Sequence, residues 1–351
     1  MLQRSNIVSS EAEMQAYYDD LKADNMYAAW LDADTRGNWE PESHVVPWVW
    51  HYRDLRPHVL RALELVGTQQ AERRVIRCMN PGLERGATRT MVANLQIVGP
   101  GEIARAHRHT PNALRFIVEG NGGYTVVNGE VVPMLPGDLV ITPNWTWHDH
   151  ANDSDTPIVW LDGLDTPLIG FLEARFQEEY PEEAQRPRED VDSGFLKYGT
   201  GSLRPAWEAP PTDHSPQMRY PWSHTKETLD KLAETESGSA YDGVIMEYSN
   251  PLTGGPVMPT IACFVQRLRP GARTKAHRHT PSTVYHVIEG QGATIVNGKR
   301  LDWESKDIVT VPGWAFHEHV NESSTQPAYL FSYTDAPIFK MLQWFREEGR
   351  E

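Results

Sequence analysis

The chain has 351 residues, 39% of them hydrophobic, and a formal net charge of −15, which is enough length to bury two ordinary cores. The acidity argues against nucleic acid or an anionic membrane surface as partner. Two cysteines, Cys78 and Cys263, exclude a disulfide framework and a thiolate metal cluster. No run approaches the ~18 apolar residues of a membrane span, and MLQRSNIVSSEAEM lacks a signal-peptide core, so a cytoplasmic protein is expected.

In chain order, residues 1–72 read as a helical N-terminal extension. Ser10-Glu11-Ala12-Glu13 fits a capping box, and Arg56–Val66 is a second helix. From residue 73 to 172 the pattern turns to short strands (VIRCM, TMVANLQIV, LRFIVEG, YTVVNGE, DLVITP, IVWLDGL), cut by turns such as Asn128-Gly129 and Pro136-Gly137. Arg73 and Arg77 read as a solvated strand face. Residues 173–255 form a connector rich in Pro and charge, with one helix over KETLDKLAE and least order near Pro205–Gln217. Residues 256–351 repeat the strands (IACFVQRL, TVYHVIEG, ATIVNGK, DIVTVP, AYLFSYTD) and end in a tail. Even spacing without alternating long helices predicts an all-β core of two antiparallel barrels or jelly rolls.

Each barrel carries the same landmarks. In the first, Gly101 precedes His107-Arg108-His109, then Gly120, Gly137, Pro143, His148 and Asn152. In the second, Gly271 precedes His277-Arg278-His279, then Gly290, Pro312, His317 and Asn321. Residues two apart on a strand share a face, so His107 and His109 point together while Arg108 points away. A third histidine from a later strand completes a three-imidazole set. His277, His279 and His317 form a second candidate set. Spacing alone leaves iron, zinc, copper and nickel open.

These landmarks resemble the cupin superfamily over about residues 73–172 and 256–345, which implies two double-stranded β-helix barrels. Many cupins add a glutamate four residues after the second histidine; Ala113 and Thr283 stand there, so neither site gains that carboxylate. AHRHTPNALRFIVEG and WTWHDH, with Asn80-Pro81-Gly82, Leu95-Gln96 and Leu161-Asp162-Gly163, resemble the gentisate 1,2-dioxygenase family, which includes salicylate, 5-nitrosalicylate and 1-hydroxy-2-naphthoate dioxygenases. The resemblance implies an Fe(II)-dependent ring cleavage by O2 between the carboxyl- and hydroxyl-bearing carbons of an ortho-hydroxybenzoate. It implies one Fe(II) per subunit on His107, His109 and His148, with the second set left open, and a homotetramer. It also implies that Arg115 and Gln96 hold the substrate carboxylate, that His150 donates or relays a proton, and that Asp162 orients one of these donors.

Val92 and Asn94 replace the aromatic and small residues common in relatives. Alternating with Gln96, they would line the ring-substituent end of the pocket. That pairing suits a bulky polar substituent, a nitro group being one case, so both gentisate and a 5-substituted salicylate stay open as the substrate. In the second barrel Tyr285 and His286 stand where Arg115 and Phe116 do, so the clamp is lost there. Two alternatives stay open: another three-His cupin oxygenase, or a bicupin that only binds metal or a small acid.

Overall fold

The computed structural model describes residues 9–32, 39–68, 70–188, 190–210 and 214–350. Residues up to Glu42 form one unit and Ser43–Glu351 another. In the first, Ser10 caps the helix Glu11–Ala23 by accepting from the Glu13 amide, and the Glu13 carboxylate reaches back to the Ser10 amide. This is the expected capping box. Trp30 stacks on Tyr17 at 6.5 Å.

The second unit holds four sheets, two per barrel. In barrel 1 a six-stranded sheet runs in the order Arg219–Tyr220, Leu139–Thr142, Ala113–Glu119, Ile158–Leu164, Val92–Val98, Arg74–Cys78. Its companion runs Gln177–Glu179, Ile103–His109, His148–Asn152, Gly123–Val127, Glu130–Met134. Barrel 2 repeats both, with Thr283–Glu289, Ala328–Thr334 and Ala262–Leu268 central in its larger sheet and His317–Asn321 beside His277–His279 in the other. Among the described residues these strands all pair antiparallel. Asn128 and Asn297, with φ of 47° and 48°, make the expected hairpin turns with the following glycines.

The segments read as extension and connector are built into the barrels. Trp48–Trp50 pairs with Ile308–Val311 and so adds an edge strand to barrel 2. The second helix spans Tyr52–Leu65, four residues earlier than expected at its start. Asp307 of barrel 2 accepts from the Tyr52 amide at 2.8 Å, satisfying a donor that the helix N-terminus leaves open. From the connector, Arg219–Tyr220 and Val244–Tyr248 extend the large sheets, and Trp222–Thr235 forms the expected helix. Part of the Pro205–Gln217 stretch, residues 211–213, lies outside the described residues.

The large sheets of the two barrels meet in a shared core, and barrel 2 buries a second cluster of its own around Tyr285, Trp303 and Leu330. Phe116 stacks on Phe331 at 4.4 Å and meets His286 at 5.2 Å. The Tyr333 hydroxyl donates to the Val92 carbonyl at 2.7 Å. Gly163 lies under the Tyr333 ring, where a Cβ would come within 2.9 Å of it. Truncating a stacked core phenylalanine of this kind costs about 3–5 kcal/mol. Among the described residues no helix is long and apolar enough to cross a membrane.

Candidate metal centre and its pocket

The companion sheet of barrel 1 brings the three histidines together. His107 pairs directly with His148 across the strands, and His109 lies two residues along on the same face. Ring centroids are 4.4, 4.8 and 5.2 Å apart, and the three can offer nitrogen atoms within 4.8 Å of one another. Arg108 projects oppositely, held over Trp145 at 4.6 Å and Trp147 at 4.4 Å, and its Nε donates to Glu178 at 2.8 Å. Trp145 takes φ of 61° to reach it, a strained backbone for a bulky residue. Fixing the middle residue of His-Arg-His fixes the two outer rings.

Each ring's tautomer follows from its second nitrogen. His107 Nδ1 lies 3.3 Å from the Arg105 carbonyl, His109 Nδ1 2.8 Å from that of Pro111, and His148 Nδ1 3.0 Å from that of Thr146. A carbonyl only accepts, so each Nδ1 carries the proton and each Nε2 is left with its lone pair. The His148 Nε2 is buried and finds no hydrogen-bond partner. Burial lowers the pKa of His109 to about 4 and that of His107 to about 2, and holds His148 well below the ordinary imidazole value. For His107 the neighbouring Arg73 adds to burial, and for His148 His109 does. Three neutral imidazoles with free lone pairs converging on one point fit a divalent metal.

The six-stranded sheet supplies the rest of the pocket. Asn94, Asp162 and Arg115 stand opposite one another on three neighbouring strands and therefore share a face. Gln96 and Trp160 form the adjacent row on that face. Arg115 is 4% exposed; its Nη1 donates to Thr142 Oγ1 at 2.6 Å, and its Nε lies 3.7 Å from Asp162 Oδ1, an ion pair too long for a hydrogen bond. Burial lowers the Arg115 pKa, opposed by Asp162. Burial pushes Asp162 up to about 6, against Arg115 and the Trp160 Nε1 that donates to it at 2.8 Å. His150 sits between the sheets, its ring 5.1 Å from Trp160 and 5.9 Å from His148. Gln96 Nε2, Asn94 Oδ1, Arg115 Nε and both His150 nitrogens are buried without partners. Polar groups rarely stay so, and this many on two sheets of one barrel mark a place for a polar ligand.

The residues expected at the first site thus lie on the two sheets of barrel 1, the histidines on one and Arg115, Gln96, Asn94, Asp162 and Val92 on the other, with Val92 half-buried. Arg73 corrects the solvated-strand reading. Arg77 is exposed, but Arg73 turns inward and donates from Nη2 to the Arg105 carbonyl at 2.6 Å. Burial and the Arg115 charge bring its pKa down to about 10, with Asp162 acting the other way. Trp160 was also passed over, although its place two residues before Asp162 puts both on one strand face. In barrel 2, His277, His279 and His317 converge as their counterparts do, with Tyr285 opposite Ser332 where Arg115 faces Asp162.

A cupin-domain family model matches residues 94–163 and 264–333. The chain is 41% identical to the 5-aminosalicylate 1,2-dioxygenase of Comamonas sp over 97% of its own length and 91% of the relative's. It is 36% identical to gentisate 1,2 dioxygenase 1 of Aquipseudomonas alcaligenes over 95% and 96%. The crystal structure of salicylate 1,2-dioxygenase from Pseudoaminobacter salicylatoxidans with gentisate matches at a TM-score of 0.91 and 33% identity, covering 99% of this chain and 97% of that one. A bicupin that merely sequesters metal, or a different three-His oxygenase, does not account for likeness of this extent. The chain belongs to the gentisate and salicylate family of two-cupin, ring-cleaving 1,2-dioxygenases.

Proposed function

We propose that the chain cleaves a 5-substituted salicylate whose substituent forms hydrogen bonds, 5-aminosalicylate being the first to try, with one Fe(II) held by His107, His109 and His148. The observation that carries the substrate reading is Asn94, whose Oδ1 is buried and unpartnered in the row it shares with Asp162 and Arg115. An amide oxygen accepts, so it suits an amino or hydroxyl group better than the nitro group expected from sequence. The 41% identity to a 5-aminosalicylate dioxygenase supports the same direction.

In this reading Arg115 and the Gln96 amide bind the substrate carboxylate, which gives Arg115 Nε and Gln96 Nε2 the acceptor that each lacks. Asp162, fixed by Trp160, holds the guanidinium in place. Arg73 adds positive charge beside an anionic substrate. His150, kept neutral by burial, accepts the phenolic proton at one ring nitrogen as the ortho oxygen becomes a chelating anion. Val92 and Asn94 take the ring substituent. A bound divalent iron supplies the Lewis-acid and one-electron chemistry that couples an electron-rich ring to O2. His277, His279 and His317 hold a second ion. The assembly is read as a cytoplasmic homotetramer, the exposed Tyr27 and Trp30 of the N-terminal unit offering apolar surface to another subunit.

The test is anaerobic reconstitution with Fe(II), or with Zn(II), Cu(II) or Ni(II) in parallel, followed by oxygen uptake on salicylate, gentisate, 5-aminosalicylate and 5-nitrosalicylate. Preference for the 5-amino compound with iron alone is expected. Equal kcat/KM for salicylate and its 5-substituted forms would overturn the substrate reading.

A further inference from the structure

The barrels diverge just before their first strands. Arg74 pairs with Ile97 and Val244 with the equivalent Arg267, so Arg73 and Gly243 hold matching places. Gly243 has φ of 73°, and a Cβ there would meet the Arg267 carbonyl oxygen at 2.8 Å, so no side chain takes Arg73's place in barrel 2. Its neighbour Asp242 turns a carboxylate toward the histidines instead. Asp242 Oδ1 lies 3.5 Å from His277 Nε2, while Oδ2 accepts from Ser239 Oγ at 3.0 Å. Tyr241 lies flat against the His277 ring at 5.1 Å and 11°. Gly349 of the last strand makes that fit possible, since a Cβ on it would come within 2.0 Å of the Tyr241 hydroxyl.

Two of the three rings of this triad are set as in barrel 1, and His277 instead lies between two carboxylates. His279 Nδ1 donates to the Pro281 carbonyl at 2.9 Å and His317 Nδ1 to that of Ala315 at 3.0 Å. His277 Nδ1 lies 3.3 Å from Glu347 Oε1. The Nε2 atoms of His277 and His317 are buried and unpartnered. With Nδ1 turned to Glu347, the His277 Nε2 lone pair would face a carboxylate oxygen at 3.5 Å, and the two repel each other unless a metal ion or a shared proton lies between them. Resting on the reading that this triad holds an ion, we propose that Asp242 is its fourth ligand and that barrel 2 is a closed, structural metal site rather than a second reaction centre. Four protein ligands complete the tetrahedral set of a structural site, whereas a catalytic site keeps a position open. The surroundings agree. Tyr285 packs on His319 at 4.8 Å, and Phe264 and Ser332 stand where barrel 1 has Asn94 and Asp162, leaving no guanidinium for a carboxylate.

The test uses Co(II) on metal-free chain carrying His107→Ala and His109→Ala, which disables barrel 1. The expected result is one Co(II) per chain, the intense visible bands of four-coordination, indifference to added azide, and a higher Tm. Adding Asp242→Asn should weaken Co(II) binding by at least about tenfold, dim the bands as water enters, and make them respond to azide. Asp242→Glu should restore part of the affinity. If the parent variant binds no Co(II), the second-ion reading fails, and a proton shared by His277 and Asp242 fills the gap. If it binds one Co(II) and Asp242→Asn changes neither affinity, spectrum nor azide response, the ion stands and the fourth-ligand assignment is overturned. Should the parent variant not fold, the second equivalent taken up by the wild-type chain gives the same reading.

Discussion

Arg115→Lys separates a geometric clamp from a mere positive charge. The guanidinium is 4% exposed, spends one Nη on Thr142 at 2.6 Å, and keeps its Nε unpartnered 3.7 Å from Asp162. An ammonium keeps the charge but cannot serve Thr142 and a substrate carboxylate with one planar fork. Losing one charge-assisted hydrogen bond costs about 1.5–3 kcal/mol, which converts to about 10- to 150-fold in kcat/KM. Arg115 stands on the six-stranded sheet and the three histidines on the other, so metal content should not change. The assay is oxygen uptake on the preferred salicylate, with iron measured on the same sample. A kcat/KM within about twofold of wild type at full iron content would refute the clamp. Loss of iron along with activity would instead make Arg115 a support of the metal centre.

Three further outcomes follow from the same geometry. Replacing His107, His109 or His148 singly with Ala should strip iron from barrel 1 and abolish ring cleavage, because two imidazoles hold a divalent ion weakly; full turnover at confirmed iron content in any of them would sink the ligand assignment. Asn94→Gly should cost a hydrogen-bonding 5-substituent about 1–3 kcal/mol relative to unsubstituted salicylate, and Val92→Trp should penalise every 5-substituted ring; equal proportional losses across the panel would remove both residues from specificity. Without metal, stability should be full above about pH 6.5 and fall as the pH drops from there toward 4. The unfolded chain then takes up protons that the depressed folded-state pKa values of His107, His109, His148, His279 and His317 refuse. Asp162 and Asp335, raised to about 6, act oppositely, and so do Glu130, Asp138, Asp149, Asp165, Asp242 and Glu247, all raised by burial; a Tm that rises on acidification would show that the carboxyl groups outweigh the histidines.

The histidine sets were legible because a period of two and a repeated Gly, Pro and Asn framework put their geometry into the local pattern. His107 and His109 share a face for that reason alone, and the pairing with His148 needs just one hairpin-linked neighbour. Arg115, Gln96 and Asp162 came through resemblance, and the structure places them on one face by cross-strand register. Arg73 was not legible. It precedes its strand, so alternation says nothing of its direction, and its burial depends on the Arg105 carbonyl 32 residues away. The strand Trp48–Trp50 was hidden likewise: its partner is Ile308–Val311, and nothing local in a three-residue stretch names a mate that distant. Asp242 belongs with these. An acid in a turn reads as solvated until the fold brings it to His277.

The charge arrangement explains why one duplicated metal frame should serve two ends. Around barrel 1 the imidazoles are neutral, two guanidiniums are held below their ordinary pKa, and the one carboxylate on the pocket face is held above its own. Each of these directions carries a burial cost, and none is fully relieved inside the protein. The substrate carboxylate, and the phenolate formed once His150 takes its proton, would relieve the cationic groups, so binding energy is concentrated on the substrate's chelating oxygens. Barrel 2 keeps the imidazoles but replaces the positive groups with Gly243 and Tyr285 and brings its own carboxylate to the frame. An anion entering there would find its place already taken by Asp242. The substitution of one sign of charge for the other, at a strand entrance, is sufficient to turn an open metal face into a closed one without altering the three histidines.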